Sequence, residues 1–229
     1  MNVVILAAGL GTRLGRPHPK PLTLLADGRT ILRQQIDHLR QEFGEELHLT
    51  VVVGFKLHMI LEAIGAEASF VYNEIFDQTN TAKSLLRALR LVPPGGVLWL
   101  NGDVVFVPGL LGALTALGFE QSFVAVNTDR VADEEIKYTL DGDGYIKELS
   151  KQVTDGLGEA VGINYVSAKD RAVLVEHLDR CADDDYFERG IETAIAESDL
   201  RFSAVDISPF GCVEVDFLPD LERANLLGT

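Results

Sequence analysis

Cysteine is nearly absent from this sequence. Cys181 and Cys212 are the only two in 229 residues, and their spacing is not that of a metal-binding motif. A disulfide-stapled scaffold is therefore excluded, and two structural thiols in a reduced, cytoplasmic chain are expected. Basic residues are also in deficit: 20 lysines and arginines face 35 acidic residues, for a formal net charge of −15. That surface repels polyanions, which argues against nucleic acid and anionic membranes as partners. No apolar run approaches the roughly 18 residues of a membrane span. The apolar start lacks a basic flank and runs into glycines, so it is not read as a signal peptide. The five histidines are scattered and form no serine–histidine–aspartate or cysteine–histidine pattern, so each is read as structural or exposed.

What is abundant is apolar: 47% of the residues, enough for a sizeable core in one α/β domain. Short apolar strands are expected at 3–7, 49–53, 69–72, within "GVLWLNGD" (96–103, ending at 101–103) and at 122–126, alternating with helices at 30–43, 56–64, 81–91 and 108–117. Continuous apolar strands separated by helices indicate a mainly parallel, Rossmann-like mixed sheet covered on both faces. Beyond 129 the rhythm changes. "IKYTLDGDGYIKELSK" predicts a hairpin turning at 141–144, and "AVGINYVS" a further strand. Helices near 168–181 and 186–197, strands at 202–206 and 212–216 and a last helix complete the chain. The expected organisation is one domain over 1–229, with 129–166 a small antiparallel, acceptor-binding part. Ligands of such sheets bind beyond the carboxyl ends of the strands, so the loops at 8–22, 76–81 and 102–106 should share one rim.

The first of those loops is the most distinctive stretch, "VILAAGLGTRLGRPHPKPL". It is not a dinucleotide-binding fingerprint, because the third glycine position is Leu14 and prolines 17, 19 and 21 forbid a regular helix. Nor does it end in the glycine–lysine–serine/threonine of a P-loop. What remains is an extended loop in which Gly9 and Gly11 let backbone amides approach phosphate oxygens. Arg13 can bind two such oxygens, and Lys20 offers a compact charge on a backbone held extended by proline. A solvated loop with incidental cations is the plainer alternative.

The whole series of motifs resembles the nucleotidyltransferase superfamily that makes sugar nucleotides and CDP-alcohols. "LAAGLGTRLGRPHPKPL" is similar to its signature, and "VVVGFK", "LNGDVVF", "GEAVGINYVS", "YFERGIE" and "VEVDFLPDLERA" follow in the same order. "YNEIFDQTNTAKSLLRAL" is similar to the phosphocholine cytidylyltransferase branch. The resemblance implies the fold of the nucleotide-diphospho-sugar transferases and Mg²⁺-dependent cytidylyl transfer from CTP to a small phosphorylated alcohol or phosphonate, with release of pyrophosphate. It implies Arg13 and Lys20 as catalytic cations. Leu6, Ala7, Ala8, Gly9, Gly11, Thr12, Arg13, Asn80, Thr81, Ser84, Asn101 and Gly102 would bind the nucleotide. Asp103, Glu214 and Asp216 would hold the metal, a set small enough to suit Mg²⁺. Each of these acids also has an ordinary reading, a turn at Asp103 and a cap for the last helix at Asp216.

For the acceptor, the resemblance implies Lys83, Lys137, Lys151, Glu159, Tyr186 and Glu188. Lys137 and Lys151, on opposite arms of the hairpin, would grip its phosphoryl group. Aromatics are usual in that branch where this chain has Lys83, Tyr186, Phe187 and Cys212. With Lys83 of the wrong sign and Cys212 offering no ring, choline is not the expected acceptor, and an anionic or hydroxylated tail is expected instead. Two other readings stay open: a sugar-1-phosphate enzyme using UTP, GTP or dTTP, and a non-catalytic nucleotide sensor. A homodimer is compatible with either.

Overall fold

The computed structural model of the chain describes residues 1–11, 15, 17–129, 131 and 135–227. Its centre is strand β1 (Asn2–Ala7), buried at every position. Alternate residues of β1 serve different cores. Val3, Ile5 and Ala7 pack into one, Val4, Leu6 and Ala8 into the other, as the period of two in a strand requires.

Around β1 lie β2 (His48–Val53), β3 (Ser69–Tyr72), β4 (Val97–Asn101), β6 (Phe123–Asn127), β9 (Glu159–Val166) and β10 (Ser203–Asp206). Their order in the sheet is β10-β6-β9-β4-β1-β2-β3. All neighbouring pairs on this path are parallel except those made by β9, which runs antiparallel between β4 and β6. Helices α1 (Ile31–Phe43), α2 (Leu57–Ile64) and α4 (Gly109–Ala116) pack on the β1 face bearing Val3 and Ile5. On the opposite face lie α3 (Thr81–Leu91), α5 (Arg171–Arg180) and α6 (Phe187–Ser198). The mainly parallel, doubly covered sheet expected from the sequence is what the chain forms.

The hairpin is β7 (Lys137–Leu140) with β8 (Ile146–Ser150), closed by Asp141, whose carboxylate accepts from the amides of Asp143 and Tyr145 at 2.9 Å each. It joins the sheet through β7 and β9, where Lys137 and Glu159 are register partners. The strand after the hairpin is thus part of the main sheet rather than of the antiparallel attachment.

Two strands differ from expectation. β5 (Val104–Phe106) was not foreseen as a separate strand, and β11 (Cys212–Glu214) stops two residues short of 216. They pair antiparallel, Glu214 opposite Val104, as a second small sheet under α7 (Leu218–Leu226). Their own core is Leu25, Ile31, Val105, Val215, Leu221 and Ala224. Nor does Asp216 cap the last helix. Asp220 does so, accepting from the amides of Asp216 and Phe217 at 3.1 and 2.8 Å.

Candidate active site

Because β1, β2 and β4 are parallel, their carboxyl ends share one edge, and antiparallel β9 brings its amino end there. A cavity of about 380 Å³ opens at that edge. The loop after β1, the turn after β4, the amino end of α3 and the start of β9 all contribute to its wall. The predicted nucleotide residues Leu6, Ala7, Ala8, Gly9, Gly11, Asn80, Thr81, Ser84, Asn101 and Gly102 line it. Thr12 and Arg13 lie outside the described residues.

Lys20 projects from a 3₁₀ turn, Lys20–Leu22, whose entry is fixed by Pro19. Its Nζ bridges Asp103 Oδ2 at 2.6 Å and Asp216 Oδ1 at 2.5 Å. Burial works against the ammonium, but Asp103 and then Asp216 outweigh it and hold Lys20 above its ordinary value. Gly11 makes the approach possible. Its φ is +59°, and a Cβ there would come within 2.9 Å of Lys20 Cβ.

The carboxylates meet because β5 and β11 pair. Val215 donates its amide to the Asp103 carbonyl at 3.0 Å, tying the two strand ends together. Glu214 accepts from Asn101 Nδ2 at 3.3 Å. Asn101 in turn fits against β9 only because Gly162, at φ +68°, has no Cβ, which would lie 2.7 Å from the amide nitrogen. Burial, then the charges of Asp103 and Glu135, push Glu214 well above the usual carboxylate range. Among the described residues three acids face one ammonium, that of Lys20, and Asp103 Oδ1 is buried there without a hydrogen-bond partner.

A glycine loop, a bridging lysine and carboxylates at two strand ends thus meet at one cavity. Residues 3–153 match the MobA-like NTP transferase domain. The chain belongs to that family. CMP-5'-(3-aminopropyl)phosphonate synthase of Streptomyces rubellomurinus is 30% identical over 98% of this chain, which spans 38% of that protein. Bifunctional protein GlmU of Paraburkholderia xenovorans is 39% identical over 50% of this chain and 25% of its own length. The chain thus spans well under half of either relative. Among solved structures, inositol-1-phosphate CTP transferase from T. maritima superposes with a TM-score of 0.79 at 18% identity, covering 99% of this chain and 95% of that one. CTP:phosphocholine cytidylyltransferase (LicC) from Streptococcus pneumoniae superposes with a TM-score of 0.76 at 20% identity, covering 100% and 99%. At such identities these two structures show the shared fold.

The predicted metal residues all line the cavity, Asp103 from within the matched NTP transferase domain and Glu214 and Asp216 from beyond it. No group of three or more histidine, cysteine, aspartate and glutamate side chains among the described residues has the geometry to hold a metal. Lys20 instead takes the place between two of them. The unpartnered Asp103 oxygen and the raised Glu214 nevertheless fit a divalent cation, which would supply the charge this set lacks.

The predicted acceptor residues divide. Lys151, Tyr186 and Glu188 line the cavity, with the Lys151 ammonium 5.0 Å from the Tyr186 ring centroid. Lys137 and Glu159 are not among the lining residues, although their neighbours Ile136 and Ala160 are. Lys83 departs furthest from expectation. It points to α5, donating to the Asp179 carbonyl at 2.9 Å, because the apolar face of α3 turns toward the sheet and leaves this position on the helix exterior. Asn80 and Thr81 carry structural duties as well. Asn80 caps α3, and Thr81 Oγ1 accepts the Phe187 amide at 3.1 Å, satisfying a free N–H at the start of α6. No histidine is among the lining residues. His38 lies edge-on to Phe106 and His177 bonds Thr193 and Ser198.

Two residues of the NTP transferase domain were missed. Glu135 lines the cavity, and Gln35 holds the turn that carries Asp103. Gln35 Nε2 donates to the carbonyls of Asn101 at 2.9 Å and Val104 at 2.7 Å. The signal was there: Gln35 interrupts the apolar stripe of Ile31, Leu32, Ile36 and Leu39 and is fully buried. Gln35→Leu is expected to remove this side-chain donor from both carbonyls. That should cost about 2 kcal/mol, read as a fall of roughly 4–8 °C in melting temperature, together with weaker turnover from a loosened Asp103.

Proposed function

We propose that the chain is a CTP-dependent cytidylyltransferase acting on a small phosphate or phosphonate monoester. The observation that carries this reading is the Asp103–Lys20–Asp216 bridge facing the glycine loop in one cavity. An acceptor oxygen, already ionised near neutral pH, attacks the α-phosphorus. The bond from that phosphorus to the β-phosphate bridge breaks, and pyrophosphate leaves with the electron pair. No hydroxyl needs deprotonating, which accords with a cavity wall that lacks histidine. The barrier is the meeting of anions, so fixed cations and positioning supply the stabilisation. Lys20 exchanges its carboxylates for phosphate oxygens when nucleotide enters. Asp103 and Asp216, with Glu214 behind them, would hold Mg²⁺, which neutralises developing charge on the phosphates.

Cytidine is favoured by the "TNTAKSL" segment and by the relative whose name is that of a CMP-phosphonate synthase. The GlmU match, which supports the sugar-1-phosphate alternative, covers only half of this chain. A non-catalytic sensor has no use for three acids around one poorly exposed lysine. We read the chain as one nucleotidyltransferase unit in which 129–166 supplies acceptor contacts. Pyrophosphate release across CTP, UTP, GTP and dTTP, each with phosphonate, phosphoalcohol and sugar-1-phosphate acceptors, tests the proposal. The highest kcat/KM should fall to CTP with a phosphonate or phosphoalcohol. A best rate with a sugar 1-phosphate and another nucleotide would overturn it.

A further inference from the structure

Glu188 is a buried acid on the wall of the cavity. It is the second residue of α6, only 7% exposed, and its Oε2 has no hydrogen-bond partner among the described residues. It has little freedom to turn away. The preceding residue is pinned twice: the Phe187 amide is held by Thr81, and its ring meets Trp99 edge-to-face at 5.5 Å. A carboxylate oxygen buried without a donor is costly, and such an oxygen on a cavity wall implies that a guest brings the donor.

The surroundings narrow what that guest is. Glu135 lines the same cavity and adds a second negative charge. Lys151 attracts both acids, but among the described lining residues near them it is one lysine against two carboxylates, and its ammonium lies over the Tyr186 ring. An anionic tail would be repelled here. A quaternary ammonium has no N–H for Oε2 and would want aromatic faces, yet Tyr186 already carries Lys151 and Phe187 is buried against Trp99. A hydroxyl can donate but brings no charge. A primary ammonium brings both.

We propose that the acceptor carries a primary amine, and that Glu188, with Glu135 beside it, is the carboxylate that selects it. This rests on reading the cavity as a cytidylyltransferase site, and it reverses the anionic or hydroxylated tail expected from the sequence, where Lys83 was placed in the pocket. The protonation of Glu188 agrees. Burial first, with Glu135 adding to it, holds its carboxyl at about 7, against the opposing pull of its own backbone amide and Lys151. An arriving ammonium would bring it back to the ionised form.

The test compares 2-aminoethyl- and 3-aminopropylphosphonate with 2-hydroxyethylphosphonate and phosphocholine, using CTP and Mg²⁺, in the wild type and Glu188→Gln. Wild type is expected to favour the better amine over both other acceptors by about tenfold or more in kcat/KM, as a charge-assisted hydrogen bond provides. The amine-to-hydroxyl ratio should rise with pH through about 7, where Glu188 ionises. The two phosphonates titrate at different pH, so each acceptor's rate is first divided by its own dianion fraction, and the ratio is taken of these corrected values. In Glu188→Gln the ratio should fall at least about tenfold and lose its pH dependence. A CTP-induced rise in melting temperature checks that the variant is folded, and the wild-type ratios decide the matter alone if it is not. Equal or better turnover of the hydroxyl or choline acceptor, or an unchanged ratio in the variant, would overturn the inference while leaving the cytidylyltransferase reading intact. Absence of pyrophosphate release from CTP with every acceptor would overturn both.

Discussion

Replacing Asp103 by asparagine is expected to lower Mg²⁺-dependent turnover by about two to three orders of magnitude. The change is isosteric and removes only charge. Asp103 is held by its backbone, through the Val215 amide on its carbonyl and the Gln35 contacts on either side, so the turn should keep its shape. Its Oδ2 would remain a hydrogen-bond acceptor for Lys20, and Asp216 still pairs with that ammonium. What is lost is the anionic oxygen Oδ1, buried and unpartnered, that a divalent cation would use. Removing a like charge beside Glu214 also relieves the repulsion that raises that residue. The melting temperature without metal should therefore stay level or rise, while the stabilisation that Mg²⁺ confers on the wild type is largely lost. Pyrophosphate release and thermal melts with and without Mg²⁺ measure both effects. Retained activity in a variant that melts normally would remove Asp103 from the metal assignment.

The legibility of this site in the sequence follows its physics. Local signals were readable. The apolar run of β1, the amphipathic helix beginning near Thr30 and the turn at Asp141 are written in adjacent residues, and the structure places them as expected. The rim was readable too, because parallel strands must present their carboxyl ends together. Long-range pairings were not. β5 is three residues long and owes its existence to β11, more than a hundred residues away. Without that pairing in view, only a family resemblance grouped Asp103 with Asp216, and each kept a turn or cap as its ordinary reading. Lys83 shows the converse error. Its placement followed a motif match, whereas the facing of α3 is set by Ala82, Leu85, Leu86 and Leu89 packing on the sheet. Helical period alone would have put Lys83 on the outer side.

Lys20→Met tests the centre of the arrangement in two independent ways. Turnover should fall about a hundredfold to a thousandfold, since a fixed cation on the phosphates is lost. Stability should fall as well, because Asp103, Asp216 and Glu214 would share a poorly exposed corner with no ammonium. The side chains of Lys20, Asp103 and Asp216 are 11%, 18% and 21% exposed, so the penalty near neutral pH is expected at about 1–3 kcal/mol rather than that of a fully buried pair. The pH dependence has a definite sign. Lys20 has a raised value in the folded state, so its stabilisation is complete below its unfolded value and is lost as pH rises through the folded one, above 10.5. On the acid side the variant recovers, because protonating the carboxylates removes the charges that Lys20 balanced. The gap in melting temperature between wild type and variant should therefore be widest from neutral to mildly alkaline pH and close at both ends. Added Mg²⁺ should narrow it, by supplying to the same carboxylates the charge that methionine cannot. A gap independent of both pH and Mg²⁺ would mean that Lys20 matters there for packing alone, and that the bridge to Asp103 and Asp216 is not a cation site.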